Sequence, residues 1–194
     1  MAEQEGVVKF NLDHRFEPLV NNNIVRLNNW RMILRQLGMI GATPDRYDGY
    51  GFGNLSQRTE QGFLITGSQT GDIEDLTLDH YAEVRQADPQ NNHVVSVGSI
   101  QPSSESLTHA AVYRAEPNIE AVFHVHCPAL WRTEKVATPG HIRYGTPEMA
   151  AAVTALICGE AGLFSMLGHE DGVVSYGTDC DQAGLLLIKA LAGT

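Results

Sequence analysis

Two histidines in one short run of residues are the first feature of this sequence that suggests chemistry. His124 and His126 flank Val125 in the run AVFHVH (residues 121–126), which is rich in β-branched and aromatic residues. Side chains alternate between the two faces of a strand, so both imidazoles would point the same way. Two neighbouring imidazoles on a rigid element form half of a metal site. An ordinary pair of polar positions on a half-exposed strand is the alternative interpretation.

A third histidine lies in a polar turn further along the chain. His169 stands in the segment GHEDG (residues 168–172), between two apolar strand-like runs. With His124 and His126 it would give three nitrogen ligands and one open position, the pattern of catalytic zinc. The spacing alone does not select His169 from the other histidines. One of these, His109, is either a group that supports the site or a histidine on a helix surface.

Hydroxyl and glycine residues after predicted strands, and at the start of a predicted helix, suggest an anion site. Ser103, Ser104 and Glu105 open the helix, where free backbone N–H groups suit a phosphate or a carboxylate. A plain helix cap explains the same three residues. The segments GNLS (53–56) and TGS (66–68) follow turns or strands, and neither has the glycine spacing of a P-loop or dinucleotide fingerprint.

Hydrophobic periodicity and turn residues predict the elements that would position these groups. Residues 1–20 are predicted to form an N-terminal arm, and residues 21–194 a single α/β domain with a mainly antiparallel sheet flanked by helices. Helices are predicted at 21–37, 103–114 and 147–158 and after Thr178, and strands at 55–58, 63–66, 82–86, 94–97, 120–126, 163–167 and 173–176.

Charge and cysteine content restrict the classes of partner. Thirteen basic and twenty-three acidic residues give a net charge of −10, which argues against binding to nucleic acid or to an anionic membrane. Three scattered cysteines show no disulfide or metal spacing, which favours a reducing compartment. The N-terminus has no signal-peptide pattern, and no apolar run reaches the length of a membrane span. We therefore expect a cytoplasmic protein.

Taken in order, these motifs resemble those of the class II aldolase/adducin family. The segments that carry the resemblance are GNLS (53–56), TGS (66–68), PSSE (102–105), HVH (124–126) and the late His169 before an apolar strand. The similarity extends from about Asn23 to the C-terminal helix. It implies a three-layer α/β/α domain, which agrees with the predicted elements.

The resemblance also implies site residues and an assembly. A divalent, zinc-like metal would be bound by His124, His126 and His169, and Glu105 would be the acid/base residue. The substrate phosphate would be held by Asn54, Thr66, Gly67, Ser103 and Ser104. The family commonly forms homotetramers with sites at subunit interfaces, so a homotetramer that binds a small, phosphorylated molecule is expected.

The function implied is that of a zinc-dependent lyase. It would act on a small sugar phosphate or hydroxy-carbonyl compound through a metal-stabilised enediolate, either as an aldolase or as a dehydratase. A non-catalytic adducin-like binding or assembly module is the alternative. A purely structural metal, closed by Glu170 or Asp171 as fourth ligand, is a third possibility.

Three departures from the family pattern bear on these expectations. Gln69 replaces a glycine that is common in the phosphate loop, and Glu170 and Asp171 follow His169 where the family usually has glycine directly. The sequence ends at Thr194, without the longer tail whose tyrosine serves as proton donor in aldolase members. Tyr113 and Tyr144 are available, but the sequence assigns that role to neither.

Overall fold

A nine-stranded mixed sheet crosses the part of the chain that this computed structural model describes, residues 6–194. The strands are β1 (Asn11–Phe16), β2 (Asn54–Thr59), β3 (Gly62–Thr66), β4 (Tyr81–Asp88), β5 (His93–Gly98), β6 (Ala121–His126), β7 (Ala137–Thr138), β8 (Gly162–Met166) and β9 (Gly172–Gly177). Their spatial order is β1-β5-β4-β3-β2-β6-β9-β8-β7. This order places β6, which carries His124 and His126, in the interior of the sheet between β2 and β9.

The sheet is mixed, which corrects the expectation of a mainly antiparallel one. The two edge pairs, β1 with β5 and β7 with β8, are parallel, while the interior pairs are antiparallel. Both edge strands were missed by the sequence prediction. β1 lies within the segment predicted to be an arm and has no buried residue, and β7 has only two residues. Residues 1–5 of that arm lie outside the described residues.

Five α-helices cover both faces of the sheet within the described chain. They are α1 (Val25–Gln36), α2 (Ser106–Ala115), α3 (Pro128–Thr133), α4 (Pro147–Leu156) and α5 (Cys180–Ala192). One hydrophobic core includes Leu107 of α2 and Val153 of α4, and the other includes Leu27 of α1 and Leu187 of α5. The arrangement is the predicted helix–sheet–helix sandwich. In residues 6–194, no helix is both long and apolar enough to span a bilayer.

Side chains cap the N-termini of helices α4 and α5. Thr146 caps α4, because its hydroxyl oxygen accepts a hydrogen bond from Met149 N at 3.2 Å. The helix predicted after Thr178 begins at Cys180 as α5. The side chain of Asp179 caps it and accepts a hydrogen bond from Gln182 N at 2.7 Å.

A glycine allows the start of β2 to approach the histidine strand. Gly53 has φ +77°, and a Cβ there would lie 2.7 Å from Ile40 Cγ1 and 3.3 Å from the carbonyl oxygen of His124. Any side chain would push β2 away from β6. The close approach sets the register in which Asn54 pairs with His124. Residues of the GNLS segment are thereby placed next to the candidate site.

Candidate metal centre

Three histidines converge at one end of the sheet. His124 and His126 lie on β6, and His169 lies in the turn between β8 and β9. One ring nitrogen of each lies within 4.8 Å of the others. The Nε2 atoms of His124 and His126 are 3.1 Å apart, and the ring centroid of His169 lies 5.0 and 4.8 Å from theirs. The structure therefore brings together the three residues that the resemblance implied.

The pairing of β6 with β9 is what carries His169 to this position. His126 pairs with Gly172, the first residue of β9, so the preceding turn folds back over the end of β6. Gly172 fits closely between two of the histidines. A Cβ there would lie 3.2 Å from His124 Cε1 and 3.2 Å from His169 Cγ. Sequence spacing could not reveal this contact, because 43 residues separate the third histidine from His126.

The donor set is suited to a divalent metal. Burial lowers the pKa of His124 and of His126 well below the usual value, and the charge of His169 lowers both further. The rings are therefore neutral, as metal ligation requires. His124 Nδ1 is buried and has no hydrogen-bond partner among the described residues. Three buried imidazoles that face one another fit zinc coordination.

Glu105 lies beside this cluster, at the N-cap position of α2. Its side chain is 1% exposed, and its Oε1 is 3.6 Å from His169 Nδ1. The other carboxylate oxygen, Oε2, accepts a hydrogen bond from Thr108 Oγ1 at 2.7 Å. Sequence reasoning missed Thr108, because a threonine inside a helix carries no distinguishing pattern. Its hydroxyl fixes the carboxylate so that Oε1 faces the histidines.

His109 is a buried residue and not a histidine on the helix surface. Its Nδ1 lies 2.6 Å from Ser56 Oγ, which in turn lies 2.8 Å from the Tyr113 hydroxyl. Burial lowers the pKa of His109 to about 3. A charge on His109 would also lower the pKa of His124, so His109 lies close enough to that histidine to influence it. The structure thus pairs His109 with Ser56 rather than with Glu105.

The predicted phosphate residues surround a small pocket at the start of α2. Asn54, Gly67, Ser103 and Ser104 line it, together with Gln69. Its free volume is about 20 Å³, enough for roughly one water molecule. Gln69 Oε1 accepts a hydrogen bond from the backbone N–H of Gly51 at 2.9 Å.

Thr66 is the one predicted phosphate residue that does not line this pocket. Its hydroxyl oxygen accepts a hydrogen bond from Leu55 N at 3.2 Å, between β2 and β3. This bond holds the beginning of β2 against the end of β3. The position of Thr66 therefore indicates a supporting contact within the sheet.

A larger cleft opens on the other side of the histidines, with a volume of about 830 Å³. Tyr47, Tyr144, His169 and Asp171 are among the residues that line it. The Tyr144 ring stacks on His169 with centroids 4.4 Å apart. The Tyr47 hydroxyl donates to Asp171 Oδ2 at 2.9 Å. Tyr47 comes from an irregular loop with no periodic pattern, so no signal in the sequence singles it out.

The two carboxylates that follow His169, Glu170 and Asp171, do not belong to the histidine cluster. Among the described residues, the group that could hold a metal consists of the three histidines alone. Asp171 accepts the hydrogen bond from Tyr47, and Glu170 is exposed at the cleft. A structural site closed by one of these carboxylates is therefore not the arrangement observed.

Comparison with known proteins identifies the family. The family model for the class II aldolase and adducin N-terminal domain matches residues 43–140. The chain belongs to this family. The matched segment includes Asn54, Glu105, His124 and His126, while His169 lies beyond it. No curated protein sequence matches the chain.

Solved structures of class II aldolases share the fold. An L-fuculose-1-phosphate aldolase from Thermus thermophilus is 23% identical, with a TM-score of 0.61 over 87% of this chain and 91% of that one. Another L-fuculose 1-phosphate aldolase is 20% identical, with a TM-score of 0.62 over 89% and 83%. The enzyme from Glaciozyma antarctica is 18% identical, with a TM-score of 0.55 over 90% and 76%. These similarities confirm the class II aldolase-like α/β fold.

Proposed function

We propose that this class II aldolase-family protein is a divalent-metal-dependent lyase, with zinc as the expected metal. Its substrate would be a small hydroxy-carbonyl compound, such as a sugar phosphate, and the reaction would be aldol cleavage or dehydration. The observation that carries the proposal is the buried group of His124, His126 and His169 with the carboxylate of Glu105 beside it. Neutral nitrogen ligands next to an acid/base residue are the components such a reaction needs.

The roles proposed for the side chains follow from their positions. The three histidines would hold the metal, which when bound would polarise the substrate carbonyl. Glu105 would accept one proton at Oε1 from the substrate and return it after the carbon–carbon or carbon–oxygen bond breaks. The hydrogen bond from Thr108 keeps Oε2 occupied, so that Oε1 is the oxygen presented to the site.

The small pocket at the start of α2 is the proposed binding site for the far end of the substrate. Asn54, Ser103 and Ser104 are buried polar residues there, and the Oδ1 atom of Asn54 has no partner among the described residues. A phosphate is larger than the space that Gln69 leaves. We therefore propose that a phosphorylated substrate binds there only if Gln69 moves, whereas a hydroxyl group fits without such a change.

The assembly and location are proposals as well. Homotetramer formation is supported by the family resemblance, and the relatives named above act on L-fuculose 1-phosphate by name. A cytoplasmic location is supported by the cysteines Cys127, Cys158 and Cys180, all of which are free thiols in the structure.

Deuterium incorporation tests the proposed chemistry. Zinc-loaded protein in D₂O is expected to exchange a carbon-bound proton of dihydroxyacetone phosphate or hydroxyacetone, observed by NMR. Glu105→Gln should abolish the exchange and keep about one zinc per chain. Zinc-loaded protein that exchanges no proton in either compound would contradict the proposal. Protein that binds no metal, with a stability unchanged by His124→Ala, would favour the adducin-like module instead.

A further inference from the structure

One side chain from the loop of residues 43–53 reaches the metal centre. The Tyr47 ring packs edge-on against His126, with centroids 4.6 Å apart, and against Phe52 at 5.0 Å. Tyr47 also lines the 830 Å³ cleft. Tyr47 is thus in direct contact with a ligand of the proposed metal and with the space from which a substrate would arrive.

Access to the histidines makes this position significant. His124, His126 and Glu105 are fully buried, and of the three histidines it is His169 that lines the cleft. The Tyr47 ring contacts His126, and Tyr47 lines the same cleft as His169. Tyr47 therefore lies next to both the buried histidines and the cleft that opens beside them.

The Tyr47 hydroxyl is held between two charged side chains. Arg46 Nη2 donates to the phenol oxygen at 2.9 Å, and the hydroxyl itself donates to Asp171 Oδ2 at 2.9 Å. Arg46 is anchored in turn, because Nη1 donates to the carbonyl oxygen of Gly38 at 2.8 Å. Donation from a guanidinium to the phenol oxygen polarises the O–H bond and strengthens it as a donor.

The backbone of this loop is also constrained at the same point. Tyr47 and Asp48 both have positive φ angles, +50° and +55°. This left-handed conformation is uncommon for residues other than glycine, and it persists where surrounding contacts enforce it. Here the contacts are those that Arg46, Asp171 and His126 make with Tyr47. A donor held in this way is preorganised, as catalytic hydrogen-bond donors are.

We propose that Tyr47 is a catalytic hydrogen-bond donor of this metal centre. Its hydroxyl would bind the oxygen of a small hydroxy-carbonyl substrate on which negative charge develops, and that oxygen would replace Asp171 as the acceptor. The inference rests on the proposed lyase function. The inference also gives the cleft beside His169 two roles. The substrate would enter through it, and the end of the substrate farthest from the small pocket of Asn54 would bind in it.

Acetohydroxamate is a suitable probe, because its two adjacent oxygens present the same pattern as a hydroxy-carbonyl compound to a metal. Its dissociation constant would be measured by calorimetry on the zinc-loaded wild-type protein, on Tyr47→Phe and on Tyr50→Phe. The Tyr47→Phe ring can keep its packing on His126, so the variant removes the hydroxyl alone. Tyr50 lies in the same loop and is not among the residues lining the cleft, which makes it the matched control.

We expect all three proteins to bind about one zinc per chain. Tyr47→Phe should bind acetohydroxamate about tenfold more weakly than the wild type, as loss of one hydrogen bond to a charged oxygen predicts. Tyr50→Phe should bind it as the wild type does.

Three other results would overturn the inference in distinguishable ways. Equal binding by Tyr47→Phe and the wild type would refute the role of Tyr47 and leave the lyase proposal intact. Loss of zinc from Tyr47→Phe would show that the tyrosine supports the metal ligands structurally. Failure of the zinc-loaded wild type to bind acetohydroxamate would count against the lyase function, and against the Tyr47 role with it.

Discussion

Replacing Gln69 by glycine should convert the small pocket at the start of α2 into a phosphate site. Gln69 has a φ of +58°, which glycine adopts without strain, so the substitution relieves about 1 kcal/mol of backbone strain. The variant loses the hydrogen bond from Gly51 N to Gln69 Oε1, a contribution of about 1 kcal/mol. These two effects nearly cancel. The melting temperature should therefore change by only a few degrees.

The effect on anion binding should be much larger. Removal of the Gln69 side chain enlarges the 20 Å³ pocket and frees the Gly51 N–H group for a ligand. One charge-assisted hydrogen bond contributes about 1.5–3 kcal/mol, which corresponds to roughly a tenfold to hundredfold gain in affinity. Gln69→Gly should therefore bind inorganic phosphate at least ten times more tightly than the wild type.

Calorimetric titration with inorganic phosphate measures this gain. Gln61→Gly is the matched control, since Gln61 is exposed in the turn between β2 and β3, away from the pocket. The control should bind phosphate as the wild type does. Equal phosphate affinity in Gln69→Gly and the wild type would refute the argument that this side chain limits the pocket.

Two further predictions concern the acid/base residue and the buried histidines. Thr108→Val should lower kcat about tenfold with zinc retained, because Glu105 loses a charge-assisted hydrogen bond; unchanged steady-state kinetics would contradict this. The pKa values of His109, His124 and His126 are depressed in the folded chain, so the unfolded chain binds more protons as the pH falls through about 6.5, approaching three more well below that pH. The metal-free protein should therefore lose stability as the pH falls from 7, with a slope that approaches about 4 kcal/mol per pH unit. Urea unfolding at pH 7, 6 and 5.5 measures that loss, and equal stabilities at the three values would be inconsistent with it.

The local parts of the site could be predicted because they depend on local rules. A strand places His124 and His126 on the same face whatever surrounds it, and a run of β-branched and aromatic residues favours a strand. The start of α2 near Ser103 and Glu105 follows from helix periodicity and capping preferences. The sequence did not indicate how deeply β6 is buried, since all six of its residues are inaccessible in the folded chain.

The long-range parts of the site could not be predicted from local patterns. His169 reaches the other two histidines only because β9 pairs with β6, and strand partners are chosen by the packing of the whole sheet. Tyr47 and Arg46 lie in a loop whose path is set by contacts with Asp171 and His126. The parallel pairing of the two edge strands has the same origin, because the residues of β1 and β7 do not determine which strand lies beside them.

Zinc content is the measurement that tests the central claim most directly. The wild-type protein, His169→Ala and His93→Ala would be loaded with zinc, freed of excess metal and assayed by mass spectrometry. His93 is the control, because its ring pairs with Asp13 at the surface. The three-histidine centre predicts about one zinc per chain in the wild type and in His93→Ala, and a large loss in His169→Ala. Equal zinc content in all three proteins, or none in the wild type, would contradict it.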